Sequence, residues 1–461
     1  MKKKLSTILA LSLFCSVFPL SACNDNGING FNENVLRIAS WDEYIDMGGD
    51  LYMGDDEDLV DFRNWYEELF PTVKLTETKP IYEEFEAWYN KKYGKNLKVE
   101  YVALQDNETM YNKIKMGDKY DLLCPSEYMA MKLKAENKLI PFDSEFFIPN
   151  EENFYAANVS AYTRDTFIKK AELDGYMAGY MWGTTGFVYN PDAIGSTPEE
   201  SRKIMESWHC LTSERCKRKI TAKDNARDSY FMGLGMRFEE ELLKLDSTDE
   251  NYEDILAETM NKTDSQTVSE VKKCLQEARR DLYGLETDEA KMDMIMGALD
   301  ASYQWSGDAV FIMDEAERES DLYLEYSIPK SASNIWFDGW VMMDGANTHA
   351  ATAFVNYVSR PQNVVRNMYY IGYTSCIAGE DVFSYIDYNY SAEPTENATL
   401  YDYDLSYFFG ENHVLKVDEE ARRRQLFAQY PEETDTKRLV VMKYFDQEAN
   451  QRVNRMWNTI K

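Results

Sequence analysis

From Val35 to Trp41 the chain reads Val-Leu-Arg-Ile-Ala-Ser-Trp, a short and mainly apolar run that predicts a β-strand followed by loop. Ile81, Phe85, Trp88 and Tyr89 then recur at helical spacing up to Lys92, and Gly94 stops the predicted helix. Val99 to Leu104 alternates like a strand, Thr109 to Met116 fits a second helix, and Tyr120 to Cys124 is a short apolar strand closed by Pro125. A third helix is expected from Tyr128 to Glu136. Strands separated by helices in this rhythm predict an α/β lobe with a mainly parallel sheet. The acidic, aromatic stretch from Met47 to about Pro80 breaks the pattern and looks like an insertion.

Beyond residue 175, Tyr176 to Asn190 contains the Gly-rich run Trp182-Gly-Thr-Thr-Gly-Phe-Val-Tyr189, which predicts strand, turn and strand and a passage into a second lobe. Arg218 to Ala222 is a further candidate strand, and Arg227 to Met232 opens a helix. Residues 237–300 carry helical spacing, but the heptads are not sustained, so helices are expected there without a coiled coil. Val310 to Met313 and Trp340 to Met343 suit buried strands, amphipathic helices surround Pro361, and the Tyr- and Asp-rich C-terminal part ends in a helix at Met456-Trp457.

The N-terminus changes the picture, because part of it is not expected in the folded protein. Lys2, Lys3 and Lys4 precede an apolar run to Leu20, and Leu20-Ser-Ala-Cys23 resembles a bacterial lipobox. Residues 1–22 are therefore expected to be a lipoprotein signal peptide, with Cys23 lipidated and 23–34 a flexible tether. The alternatives are an ordinary signal peptide or an anchoring helix, for which the run is short. About 430 residues remain, enough for two lobes. The formal charge of −31 becomes −34 once the leader, with three Lys and no acid, is removed. Such a surface repels nucleic acid and anionic lipid and draws cations.

Five cysteines remain beyond Cys23, an odd number that cannot pair completely; Cys210 and Cys216 are close enough for a small disulfide loop, or are free thiols. No CxxC occurs and the three His are scattered, so neither a zinc site nor a cofactor is expected.

Four places put aromatic and acidic residues together near a strand end or turn: Trp41-Asp42-Glu43-Tyr44, Ser126-Glu127-Tyr128, Trp305-Ser306-Gly307-Asp308 and Trp336-Phe337-Asp338. Ligands of open α/β sheets bind beyond the carboxyl ends of strands, so such junctions meet in a cleft. Ring faces along methylenes and carboxylates at charged heads suit an alkyl ammonium. A single Trp after a strand is more often core, and a single Asp more often a cap.

Several blocks together resemble the spermidine- and putrescine-binding components of ABC importers, a branch of the bacterial extracellular solute-binding proteins. They are Val35 to Ile45, Asn107 to Tyr111, Tyr120 to Tyr128, Trp182 to Gly186, Asp224 to Asp228, Trp305 to Asp308 and Tyr370 to Tyr373, in the family's order. The resemblance implies a two-lobed periplasmic-binding-protein fold of type II, each lobe a mixed sheet flanked by helices, with the ligand cleft between. Lobe I is expected from 35–175 and 307–345, lobe II from 176–306 and 346–461, with hinge crossovers near Tyr176, Trp305 and Asp344.

It also implies aromatic walls at Trp41, Tyr44, Tyr128, Trp305 and Trp336, and carboxylates at Asp308, Asp338 and Asp228. Ser126 matches a hydroxyl near the ligand, and at least one of Asp42 and Glu43 is expected to face it. Asn225 stands where a spermidine-type site has a carboxylate, which leans toward putrescine or another short diamine. The implied protein is a monomeric, lipid-anchored captor at the outer face of the cell membrane or in the periplasm, which hands a polyamine to a membrane permease and needs no catalysis. A sugar-binding transport protein, a polyamine-sensing subunit and a surface glycosidase using Glu43 and Asp308 are the rivals. Few matched basic residues among the candidate site residues favour the cation over the sugar, although Arg227 can neutralise one carboxylate.

Overall fold

The computed structural model describes residues 34–461 apart from 287–288 and 393–398. The expected signal peptide, Cys23 and nearly all of the tether lie outside the described residues. The first strand, Val35–Trp41, pairs in parallel with Lys98–Leu104 on one side and Leu122–Leu123 on the other. The helices Ile81–Tyr93, Asn107–Met116 and Glu127–Ala135 fall where the apolar spacing places them. Gly94 ends the first of these at φ 61°, a left-handed conformation that glycine adopts without steric penalty.

Two long strands organise the rest. Met177–Tyr189 and Ser333–Met343 are antiparallel neighbours at the middle of a mixed sheet, and both are buried along nearly their whole length. Ser333–Met343 pairs antiparallel with Leu122–Leu123, so the parallel set becomes a mixed sheet. The far half of Met177–Tyr189 pairs antiparallel with Ala301–Trp305, which in turn runs parallel to Ile220–Ala222. The expected turn inside 176–190 is absent: the segment is one continuous strand. Its glycines serve close approach instead. A Cβ on Gly183 would lie 2.5 Å from Ser306 Oγ, and one on Gly186 would lie 2.4 Å from the Ser327 carbonyl oxygen.

Val310 to Met313 also departs from expectation, being part of the helix Ser306–Ser320. A four-residue apolar run fits a buried helix as well as a strand, and here Ala309, Ile312, Met313 and Ala316 form its buried stripe.

Two main cores define the lobes. The first gathers Leu36 to Trp182 with Ile335 to Tyr430; the second gathers Phe187 to Ala332 with Val440 to Ile460. A smaller cluster joins Val188 to the helices Glu289–Ile295 and Ser306–Ser320. The expected assignment of 346–461 to lobe II is therefore corrected for Ala350 to Tyr430, which carry the apolar faces of helices Thr348–Val358 and Pro361–Ile371 into the first core. Likewise 307–328, expected in lobe I, packs in the smaller cluster with Val188. The chain changes core within the two long strands and between 430 and 440, rather than near Tyr176, Trp305 and Asp344.

The insertion contains a helix, Glu57–Leu69, capped by the Asp56 side chain. Its Phe62 ring stacks on Tyr369 at 3.7 Å and 4°, and Trp65 stacks on Tyr388 at 4.7 Å. Cys210 and Cys216 are both buried free thiols.

Candidate ligand cleft

A cavity of about 1310 Å³ opens between the lobes, and every candidate site residue lines it: Trp41, Asp42, Glu43, Tyr44, Ser126, Tyr128, Asp228, Trp305, Asp308, Trp336 and Asp338. Its outer wall includes Asp58, Asp61 and Phe62 of the insertion and Tyr385, Tyr388 and Tyr390 of the C-terminal part. The segments outside the resemblance thus help to shape the cleft.

Asp338 is the focus of the first lobe. The strand Ser333–Met343 shifts register between Asp338 and Gly339, and an antiparallel bridge sets Ser126 beside Asp338. Oδ2 of Asp338 accepts from Trp41 Nε1 at 3.0 Å and from the Tyr44 hydroxyl at 2.8 Å. Oδ1 is buried and has no hydrogen-bond partner among the described residues. Burial pushes the Asp338 carboxyl above the usual range, against the nearby donors of Ser126, Tyr44 and Trp41 that favour its charge. Around it stand rings: Tyr44 and Tyr373 meet edge to face at 6.0 Å, and Trp336 lies 5.4 Å from Tyr373. Asn107 and Ser126 hold each other reciprocally, Asn107 Nδ2 donating to Ser126 Oγ at 3.0 Å and the Ser126 amide to Asn107 Oδ1 at 3.1 Å.

The facing lobe differs from expectation in its charge. Asp308 sits in the first turn of the helix Ser306–Ser320, where Tyr373 donates to Oδ1 at 3.1 Å. Lys291 Nζ lies 3.0 Å from the same oxygen and Lys223 Nζ 3.6 Å from Oδ2. Burial alone would raise Asp308, but Lys291 and Lys223 outweigh it and bring the carboxyl below its ordinary range. Lys223 is fully buried, its ammonium 3.3 Å from the centre of the Trp305 ring. The Arg227 guanidinium covers Tyr128 at 3.9 Å and Phe445 at 4.7 Å, and donates to the Lys443 carbonyl at 2.7 Å. Three basic side chains therefore meet the carboxylates, against the expectation of few.

Asp228, in the first turn of the helix Ala226–Leu242, is buried and its carboxyl is raised by that burial, partly offset by Lys223 and Arg227. Asn225 caps this helix, its Oδ1 accepting from the amides of Arg227 at 2.8 Å and Asp228 at 3.1 Å. Its amide oxygen is thus committed to the backbone. Glu127, the acidic member of the Ser126-Glu127-Tyr128 cluster to which no ligand role was given, is 1% exposed and is pushed up to about 8, chiefly by burial. Lys291 and Tyr373 were missed as well. Lys223 carried one usable signal, since it follows directly on the strand Ile220–Ala222.

Gly307 is where backbone meets ring. A Cβ there would fall 1.8 Å from Tyr373 Cδ1, so Gly307→Ala is expected to displace Tyr373 from Asp308 and to destabilise the fold by about 1–3 kcal/mol. Denaturant titration of the variant measures this; a midpoint equal to that of the parent chain refutes it.

Two lobes that close on a cleft of rings and carboxylates define a protein that captures a small solute. Residues 82–381 match the model of the bacterial extracellular solute-binding proteins, and the chain belongs to that family. The spermidine/putrescine-binding periplasmic protein of Salmonella typhimurium is 24% identical over 345 residues, covering 73% of this chain and 84% of that protein. A putrescine-binding periplasmic protein of Pseudomonas aeruginosa is 24% identical over 371 residues, covering 78% and 82%. Among solved structures, a spermidine/putrescine ABC transporter substrate-binding protein from Streptococcus pneumoniae superposes with a TM-score of 0.58 at 23% identity, covering 93% of this chain and 98% of that one. A lipoprotein of Treponema pallidum gives 0.55 at 16%, covering 93% and 99%.

Proposed function

We propose that this chain is the solute-capturing component of an ABC importer, taking a polyamine such as putrescine or spermidine between its lobes without chemical change. Asp338 carries the reading: a buried carboxylate with one unbonded oxygen, set among Trp41, Tyr44, Trp336 and Tyr373, is stabilised by an incoming ammonium. Asp228 offers a second such oxygen. Trp41, Tyr44, Tyr128 and Trp336 wall the methylenes, Ser126 stands beside Asp338, and Asp42 and Glu43 lie on the rim. The names of the relatives in Salmonella and Pseudomonas support the same ligand class. With the lipobox-like Leu20 to Cys23, the working place is the outer face of the membrane, the chain being held as a monomer by lipid on Cys23 and meeting a permease there.

Calorimetric titration of the protein with putrescine, cadaverine and spermidine tests this. Dissociation constants near or below micromolar, about −8 kcal/mol, are expected with the amine recovered intact. Heat with a maltose-like sugar and none with any amine would overturn the reading; hydrolysis of a glycoside would favour an enzyme instead.

A further inference from the structure

The three buried carboxylates of the cleft are not equivalent. Asp338 Oδ1 and Asp228 Oδ2 are buried and have no hydrogen-bond partner among the described residues, and burial lifts both carboxyls above their usual range. Asp308 Oδ2 likewise lacks a hydrogen bond among the described residues, but Asp308 differs in having two lysines within 4 Å. It is held by Lys291 at 3.0 Å, by Lys223 at 3.6 Å and by the Tyr373 hydroxyl at 3.1 Å. The Lys223 ammonium, with no exposed surface, has the Trp305 ring 3.3 Å away on one side and the Asp308 carboxylate on another. A ring face plus a carboxylate is the surrounding that this cleft would offer to an ammonium of a ligand.

We propose that Lys223 is a built-in ammonium that sets the chain's own charge behind the Trp305 and Asp308 end of the cleft, so that the site selects a diamine over a triamine. The inference rests on the polyamine reading above and adds the residue that sets ligand length. A diamine needs two carboxylates, and Asp338 and Asp228 are the two that form no salt bridge among the described residues, although Lys223 and Arg227 partly offset the burial of Asp228. A third ammonium entering toward Asp308 meets Lys223 and Lys291, and like charges in a buried site repel strongly. Discrimination by a resident repulsive group is an effective way to reject a longer competitor. Lys291 contributes less, because its side chain is 24% exposed and water screens it.

Titration of the parent chain and of Lys223→Met with putrescine and spermidine tests this. The parent is expected to bind the diamine at least about tenfold tighter than the triamine. In Lys223→Met, which keeps the apolar stem and removes the charge, that ratio is expected to shrink about tenfold or more, with spermidine gaining more affinity than putrescine. Lys223→Arg retains the charge and is expected to retain the preference. Lys291→Met, at a partly exposed position, moves the ratio in the same direction by less and serves if Lys223→Met does not fold. A parent chain that binds spermidine as tightly as putrescine, or a ratio unmoved in both methionine variants, overturns the inference and leaves the polyamine reading intact. No heat from either amine in the parent chain overturns both.

Discussion

Asp338→Asn is expected to weaken amine binding by about 30-fold to several thousandfold, the range that follows from losing about 2–5 kcal/mol when one partner of a buried charge pair is removed. The free protein should keep its stability, because the Asn oxygen still accepts from Trp41 Nε1 and the Tyr44 hydroxyl while the cost of burying a charge disappears. That combination separates a binding role from a structural one: melting temperature without ligand unchanged or raised, and the rise on adding amine lost. The pH dependence has a definite sign. Burial raises the Asp338 carboxyl, so its proton is retained to higher pH than in an ordinary Asp, and only the ionised form attracts an ammonium. Affinity should therefore fall as pH is lowered through that raised value, and binding near it should expel a proton. The proton appears in calorimetry as a heat that varies with the ionisation enthalpy of the buffer. An affinity flat with pH, or equal in Asp338→Asn, refutes the assignment.

The second large effect is on stability. Arg366 is 1% exposed and links the helix Pro361–Ile371 to the two ends of the insertion. Its Nε lies 3.1 Å from Asp46 Oδ1, Nη1 2.8 Å from Glu84 Oε2 and Nη2 3.0 Å from the Lys79 carbonyl. Asp46 is fully buried and also accepts from the Tyr52 hydroxyl. Arg366→Met removes the only cation recorded against Asp46 among the described residues and is expected to destabilise by about 3–5 kcal/mol, read from denaturant titration. Adding Asp46→Asn should recover part of the loss, since the stranded charge is then gone. Additive losses in the double variant, or less than about 1 kcal/mol from Arg366→Met, would show that the network holds little.

The first lobe was legible because its elements repeat two simple periods. Val35 to Trp41 and Val99 to Leu104 form the expected strands, and the helix Ile81–Tyr93 begins and ends beside Pro80 and Gly94. Gly183 and Gly186 misled because glycine marks both turns and close packing, and only the partner, here Ser306 or the Ser327 carbonyl, tells which. The lobe boundaries failed for a related reason. Helices Thr348–Val358 and Pro361–Ile371 have an apolar face whose destination no local pattern encodes. In the cleft, Trp41, Ser126 and Trp305 lie at or just past strand ends, as their sequence pattern suggests, whereas Asp338 lies inside the strand Ser333–Met343, at its register shift. Lys223 and Lys291 were not legible, because charge compensation is a property of distance: 68 positions separate the two lysines, and both converge on one carboxylate.

The bonds from Trp41 and Tyr44 to Asp338 join residues 297 and 294 positions apart. Contacts of such sequence separation close late and slow the folding of the chain that depends on them. The cleft is therefore among the last parts of the molecule to exist during refolding. Recovery of ligand binding should trail the recovery of helical signal from locally closed segments such as Ile81–Tyr93.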